Sequence, residues 1–342
     1  MKSYPFRRTG SPNVLKLEEV PDLGDPGPNE VLVRTIALGL NYAEILSRKG
    51  QYSWAPKRPY TLGMEAYGEI VAVGAGVAPG RVGEKVLTGM QYGGYAEMVK
   101  VPSFMAFSAF PDFTPEENAA TLVNYMTAWI ALFRQARVQP GETVLVQAAA
   151  GGVGTAAVQL LKAHGCRVIG MAGNAEKIAL LKRLGVDLAI NYRAEAFDEV
   201  ILKHKMRPDV VLELVGGDVF KKSYALVKPF GRIAVAGFAS IPLVKWNPLT
   251  WIKTLQMAPK AKVMDMAKRS IGMYATHIGY LIEDPELVVT SFGATVKFMQ
   301  KHGIRPVVGK VFAFDQVPEA HAFIESRESF GKVVIRVDTS VK

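Results

Sequence analysis

The chain has 342 residues, 49% of them hydrophobic and 21% charged, and a net charge of +10. That length holds two domains, and the composition is that of a globular protein rather than a disordered or fibrous one. One cysteine, Cys166, excludes an internal disulfide and a multi-cysteine metal site and suits a reducing, cytoplasmic setting, and no run approaches about eighteen uninterrupted apolar residues, so neither secretion nor a membrane span is expected.

In chain order, residues 1–120 read as β-rich. Val31–Ala37 alternates as a half-buried strand does, Glu69–Val73 does so again, and glycines and prolines punctuate the stretch. Thr114-Pro115-Glu116-Glu117 is a helix start: Thr114 caps, Pro115 fits the first position and Glu117 closes a capping box. A helix is expected from about Leu122 to Ala136. From Thr143 to Gly237 strand and helix then alternate, with strands near 143–148, 167–171, 187–190, 209–213 and 231–236, which predicts an α/β, doubly wound parallel sheet with right-handed crossovers.

The stretch 143–164 carries the strongest signal. Val144, Leu145 and Val146 suit a strand buried on both faces, and Ala148-Ala149-Ala150-Gly151-Gly152-Val153-Gly154 leads into a helix whose Val158, Leu160 and Leu161 face the sheet. Gly151 and Gly152 let a pyrophosphate approach the backbone, Gly154 lets the helix pack closely, and the helix N-terminus with the N–H groups of Gly152 and Val153 faces the anion. This is a dinucleotide turn whose usual first glycine is replaced by Ala149; the competing reading is a plain tight turn. The second strand ends in Ala172-Gly173-Asn174, where an NAD site would carry a carboxylate. Lys177 and Tyr192 are instead placed to meet a 2′-phosphate, so NADPH is favoured over NADH.

Residues 241–280 break the alternation with Pro242, Pro248 and Pro259. Lys245, Lys253, Lys260, Lys262, Lys268 and Arg269 face only Asp265 there, with Trp246 and Trp251 among them. A solvated or subunit-covering helix is one reading of this basic stretch, and contact with a membrane surface or RNA is the other. A strand near Ser270–His277, a helix around Pro285–Lys301, the segment Ile304–Phe314, a helix Val317–Glu325 and a strand Lys332–Val337 complete the chain, the end returning to β-rich material.

The ordered pieces Gly39-Leu40-Asn41-Tyr42-Ala43-Glu44, Arg48-Lys49-Gly50-Gln51-Tyr52, Leu62-Gly63-Met64-Glu65, the glycine turn and Gly331-Lys332-Val333-Val334 resemble the medium-chain dehydrogenase/reductase superfamily, and are similar to its zinc-independent quinone oxidoreductase (zeta-crystallin-like) branch. Phe238–Leu281 further resembles the vesicle amine transport protein homologues of that branch. The resemblance implies a GroES-like catalytic domain, 1–121 plus 281–342, a Rossmann cofactor domain, 122–280, and usually a homodimer. Zinc-dependent relatives carry Cys where Asn41 stands and His where Met64 stands, and neither Asn nor Met replaces those ligands on Zn²⁺, so no metal is expected. Histidines 164, 204, 277, 302 and 321 read as surface or packing residues.

The resemblance also implies site residues. Tyr52 is expected as proton donor or hydrogen-bond donor and Asn41 as a partner of substrate or nicotinamide; their bland readings are a tyrosine packing a loop and an asparagine shaping a turn. Thr127 is expected near the nicotinamide, Gly173, Lys177 and Tyr192 around the adenosine phosphate, Leu214, Val215 and Phe238 at the carboxyl ends of strands, and Lys332 within reach of the cofactor. Without a metal, hydride needs an electron-poor acceptor, a quinone or a conjugated enone. The alternatives are an enoyl-thioester reductase acting on an acidic acyl carrier, and a nucleotide-binding protein acting at a membrane surface or on RNA.

Overall fold

The computed structural model describes residues 1–52, 54–237 and 259–337. They fold as two compact units, one of Met1–Asn124, Gly279–Gly293 and Arg305–Lys342, the other of Tyr125–Ile278 and Ala294–Ile304.

In the first unit a seven-stranded sheet is ordered Val308–Ala313, Lys332–Arg336, Glu30–Leu40, Glu65–Val73, Lys85–Gly89 and Ala106–Ser108, with Met98–Pro102 also pairing Glu30–Leu40. All pairings are antiparallel except that of the last two strands in sequence. Glu30–Leu40 is the spine. Its first half alternates buried Val31, Val33 and Thr35 with half-exposed neighbours, and from Ile36 onward every residue is buried. A core of Tyr4, Phe6, Leu38, Leu40, Leu62, Tyr95, Val333 and Ile335 fixes that strand against the returning C-terminal segment. The segment Ile304–Phe314 supplies the strand Val308–Ala313.

The second unit is a six-stranded parallel sheet ordered Leu188–Asn191, Arg167–Ala172, Thr143–Val146, Val210–Glu213, Arg232–Val235 and Gly272–Ala275. The doubly wound expectation holds, and the strand expected near Ser270–His277 is the sixth, parallel to Arg232–Val235. Thr143–Val146 and Val210–Glu213, at the centre, are buried at every residue, which is why they read as unbroken apolar runs.

Two helices differ from expectation. The one expected over 122–136 is α-helical only for Leu122–Trp129 and becomes a π-helix over Ile130–Gln135, where the Ala136 N–H donates to the Ala131 carbonyl at 3.0 Å. The helix Pro285–Lys301 is continuous but contributes to both units: Phe292 packs on Phe107 in the first, while Phe298 packs on Trp129 and Phe133 in the second.

Candidate functional site

In the parallel unit, the strand Thr143–Val146 ends in a turn whose Ala148 takes a left-handed φ of 45°. Ala149 N–H donates to Met171 O and Gly151 N–H to Ala148 O, both at 2.9 Å, which ties the turn to the neighbouring strand. The helix Gly152–Ala163 then begins with Gly151 as its N-cap. Its first helical bond runs from Thr155 N–H to Gly151 O at 2.8 Å, so the N–H groups of Gly152, Val153 and Gly154 precede it at the positive end of the helix. A Cβ at Gly154 would collide with Ala148 O and lie 2.7 Å from Ala149. Gly154 thus lets the helix lie directly against the backbone of the turn. A Cβ at Gly151 would meet only Ala148 O, at 3.3 Å, so that glycine keeps its open side clear.

At the end of the second strand, a Cβ on Gly173 would lie 2.8 Å from the Tyr192 hydroxyl and 3.2 Å from Arg193 Nε. Asn174 caps the helix Ala175–Arg183 by accepting from Lys177 N–H at 2.9 Å, which puts Lys177 in its first turn. Gly173 and Tyr192 therefore converge as expected from sequence, with Lys177 near them along the chain. Arg193 was not anticipated. Its signal was its place directly after Tyr192, where a third donor falls beside the same glycine.

Leu214 and Val215 follow the strand Val210–Glu213, and a Cβ at Gly237 would stand 3.2 Å from Leu214 O, so the ends of adjacent strands approach closely here. Phe238 lies outside the described residues, as does the 245–258 part of the basic stretch. Thr127 is buried on the helix Leu122–Trp129, and the Tyr125 hydroxyl on that helix donates to Gln159 Oε1, on the helix after the glycine turn, at 2.5 Å.

The β-rich unit brings Asn41 and Lys332 together. Asn41 ends the strand Glu30–Leu40 and caps the helix Tyr42–Arg48, its backbone N–H donating to Glu44 Oε2 at 2.9 Å. Its side chain is locked by opposite charges. Lys332 Nζ donates to Asn41 Oδ1 at 2.7 Å, and Asn41 Nδ2 donates to Glu65 Oε1 at 3.1 Å, so a turned-over amide would meet a cation with its N–H and a carboxylate with its oxygen. Lys332 also pairs with Glu65, each side chain 2% exposed, and reaches Asn124 Oδ1 at 3.5 Å. Lys332, expected within reach of the cofactor, has its ammonium held inside the fold, where the buried carboxylate of Glu65 requires a cation. A Cβ at Gly39 would lie 2.5 Å from Lys332 Cε, so the strand has glycine where the lysine crosses it.

Beneath Asn41, Glu44 accepts from Met64 N–H at 2.9 Å and from the Tyr95 hydroxyl at 2.5 Å, and that hydroxyl also meets His321 Nε2 at 2.9 Å. Burial raises the Glu44 carboxyl to about 6 against these donors, and burial lowers His321 to about 3. His321 is accordingly a neutral packing residue, as read from sequence. Tyr52 stacks edge-on against Trp54, which meets Tyr280, and burial, with the nearby Glu44 charge, raises the Tyr52 hydroxyl far above the ordinary phenol range. Among the described residues no three His, Cys, Asp or Glu side chains gather in a metal-holding cluster, and no helix is long and apolar enough to cross a membrane.

Comparison with known proteins places these features. Residues 27–112 match the alcohol dehydrogenase GroES-like domain and residues 152–264 the zinc-binding dehydrogenase family model. The chain is 34% identical over 313 residues to the human synaptic vesicle membrane protein VAT-1 homolog, covering 91% of this chain and 79% of that protein. It is 33% identical to a quinone oxidoreductase-like protein 2 homolog of Nematostella vectensis, covering 90% and 82%. A solved quinone oxidoreductase from Thermus thermophilus, described together with its NADPH complex, superposes with a TM-score of 0.79 at 32% identity, covering 98% of this chain and 100% of that one.

Proposed function

Because the chain belongs to the medium-chain dehydrogenase/reductase superfamily, in its quinone oxidoreductase branch, we propose that it is an NADPH-dependent oxidoreductase passing hydride to a quinone or an α,β-unsaturated carbonyl without a bound metal. The observation that carries this reading is the nucleotide end of the parallel sheet. There the Gly151-capped helix faces a diphosphate, while Gly173, Tyr192 and Arg193 converge, with Lys177 nearby, where a carboxylate would select NADH. The Thermus thermophilus relative's NADPH complex supports the same cofactor.

The donor set supports hydride transfer without zinc. Asn41 and Met64 stand where zinc relatives have Cys and His, and the oxygen of Asn41 already receives the Lys332 ammonium. A dication placed among those atoms would meet a fixed positive charge. The acceptor must then be electron-poor on its own, and the charge developing on its oxygen calls for a donor. Tyr52 fits that task as a neutral hydroxyl: burial keeps it un-ionised, so it offers a hydrogen bond to the developing oxyanion and gives up its proton only as that oxygen gains basicity. Asn41, its amide fixed on both sides, serves by holding the end of the strand Glu30–Leu40 and the cap of the helix Tyr42–Arg48 rather than by donating to substrate. The family's homodimer and a cytoplasmic location belong to the same reading.

Oxidation of NADPH and of NADH, followed in turn with a naphthoquinone, an enone and a crotonyl thioester, before and after chelation, tests the proposal. Turnover of quinone or enone with NADPH, untouched by chelator, is expected. Turnover of the thioester alone points to an enoyl-thioester reductase, and loss of activity on chelation overturns the metal-free step. A second reading, contact with an anionic membrane surface, is favoured by the helix Val263–Arg269, which exposes Val263 and Met264 beside Lys262 and Lys268. Sedimentation with anionic against neutral vesicles tests it, and equal recovery with both removes it.

A further inference from the structure

At the end of the strand Val210–Glu213 stands a carboxylate that hydride transfer does not use. Glu213 is fully buried and among the described residues forms no ion pair. Uncharged donors hold it: Oε1 accepts from Val215 N–H at 2.8 Å and Gly216 N–H at 2.6 Å, and Oε2 from Gln147 Nε2 at 2.6 Å. Gln147, at the end of the neighbouring strand, also bonds Ser223 Oγ at 2.9 Å through Nε2 and accepts from Leu214 N–H at 3.3 Å through Oε1.

Such an arrangement is costly for a purely structural link, because an isolated buried carboxylate loses its hydration and its pKa is accordingly raised. What it obtains is an acceptor at both oxygens. With the N–H groups of Val215 and Gly216 turned in toward Glu213, planar trans peptides turn the carbonyls of Leu214 and Val215 the other way. The chain then leaves through Gly216 and Gly217 with φ of 85° and 60°, a path open to glycine. Gln147 comes directly before the turn that leads to Gly151, so one buried pair of side chains joins the loop 214–217 to the base of the glycine turn.

We propose that Glu213, seconded by Gln147 and Ser223, is the positioning residue for the nicotinamide half of the cofactor, fixing the loop 214–217 against which that ring is held. The inference rests on the NADPH reading above. In Glu213→Gln one oxygen becomes an NH₂ group, which must face either the loop N–H groups or Gln147 Nε2. Gln147 can answer only by turning its own amide over, which takes its oxygen from Leu214 N–H.

The test separates the two halves of the cofactor. Calorimetry is run with NADPH and with 2′,5′-ADP, which carries the adenosine phosphates and no nicotinamide, on the wild type, Glu213→Gln and Ser223→Ala. For Glu213→Gln the expected result is NADPH binding weakened about tenfold or more while 2′,5′-ADP stays within about twofold. Ser223→Ala, which removes one partner of Gln147 and no charge, is expected to show a smaller loss of NADPH affinity with 2′,5′-ADP again unchanged. It decides the matter if Glu213→Gln does not fold. Equal weakening of both ligands, or no weakening of NADPH in the variant that folds, overturns the inference. Failure of wild-type protein to bind NADPH would instead overturn the cofactor reading itself.

Discussion

Lys177 and Tyr52 carry separable predictions because each touches one property of the reaction. Lys177→Ala removes a cation from the neighbourhood of Gly173 and Tyr192, so NADPH should bind about tenfold to a hundredfold more weakly, the worth of a charged hydrogen bond, while NADH changes little. Titration with both coenzymes checks this, and equal losses would remove Lys177 from the phosphate site. Tyr52→Phe deletes the proton donor and keeps the ring that packs on Trp54. Enone turnover should fall about a hundredfold, within the usual range for a general acid, with quinone turnover much less affected. An enone rate equal to wild type would leave Tyr52 as a packing residue. Residues such as these are legible because their chemistry attaches to local motifs. The roles of Glu65, Lys332 and Arg193 were not, since each depends on contacts made by folding: Lys332 meets Asn41 across 291 positions of sequence, and a lone Gly-Lys pair does not reveal the carboxylate that will take up its charge.

Among elements, those with both a cap and a period were read most closely. Thr114 accepts from Glu117 N–H at 3.2 Å and Glu117 Oε2 accepts from Thr114 N–H at 2.8 Å, the reciprocal box its spacing announces. The parallel strands are legible because their short apolar runs alternate with helical stretches, and the central ones are buried at every residue. The π-helical continuation at Ile130 was not, because the apolar period alone does not tell a five-residue bond from a four-residue one, and the packing of Phe133 on Trp129 and Phe298 fixes it only in the folded unit. The glycine turn gives the element-scale prediction. Gly154→Ala drives a methyl group into Ala148 O and the Ala149 backbone, neither of which is a flexible side-chain end. The turn must shift, so a loss of about 1–3 kcal/mol in stability is expected together with loss of NADPH binding. Gly151→Ala, facing only Ala148 O at 3.3 Å, should cost little stability and still weaken NADPH, so denaturation and calorimetry on the pair separate packing from cofactor approach.

For the molecule as a whole, the buried chain Glu44, Tyr95 and His321 ties acid stability to one ring. The Tyr95 hydroxyl donates to Glu44, so it accepts from His321 Nε2–H, and His321 Nδ1 is left buried with no hydrogen-bond partner among the described residues. A second proton on that ring has nowhere to go. Unfolded, the same histidine titrates near 6.5, so below that pH the unfolded state binds more protons, and stability contributed by the neutral ring is lost as pH falls toward about 3. Glu44 acts in the opposite sense over a narrower window: its folded carboxyl takes a proton near 6, the unfolded one near 4.5, so falling pH adds stability between those values and nothing below them. Exposed ion pairs such as Arg7 with Glu18 are too screened to set the profile. His321→Gln keeps an N–H donor for Tyr95 and abolishes the titration. Urea unfolding of wild type and variant from pH 7 to 4.5 should therefore show the wild type losing roughly 3 kcal/mol relative to the variant, at about 1.4 kcal/mol per pH unit below 6.5. A gap that stays constant over that range would mean that the folded ring accepts its proton as readily as the unfolded one, and that the interior around Tyr95 admits water.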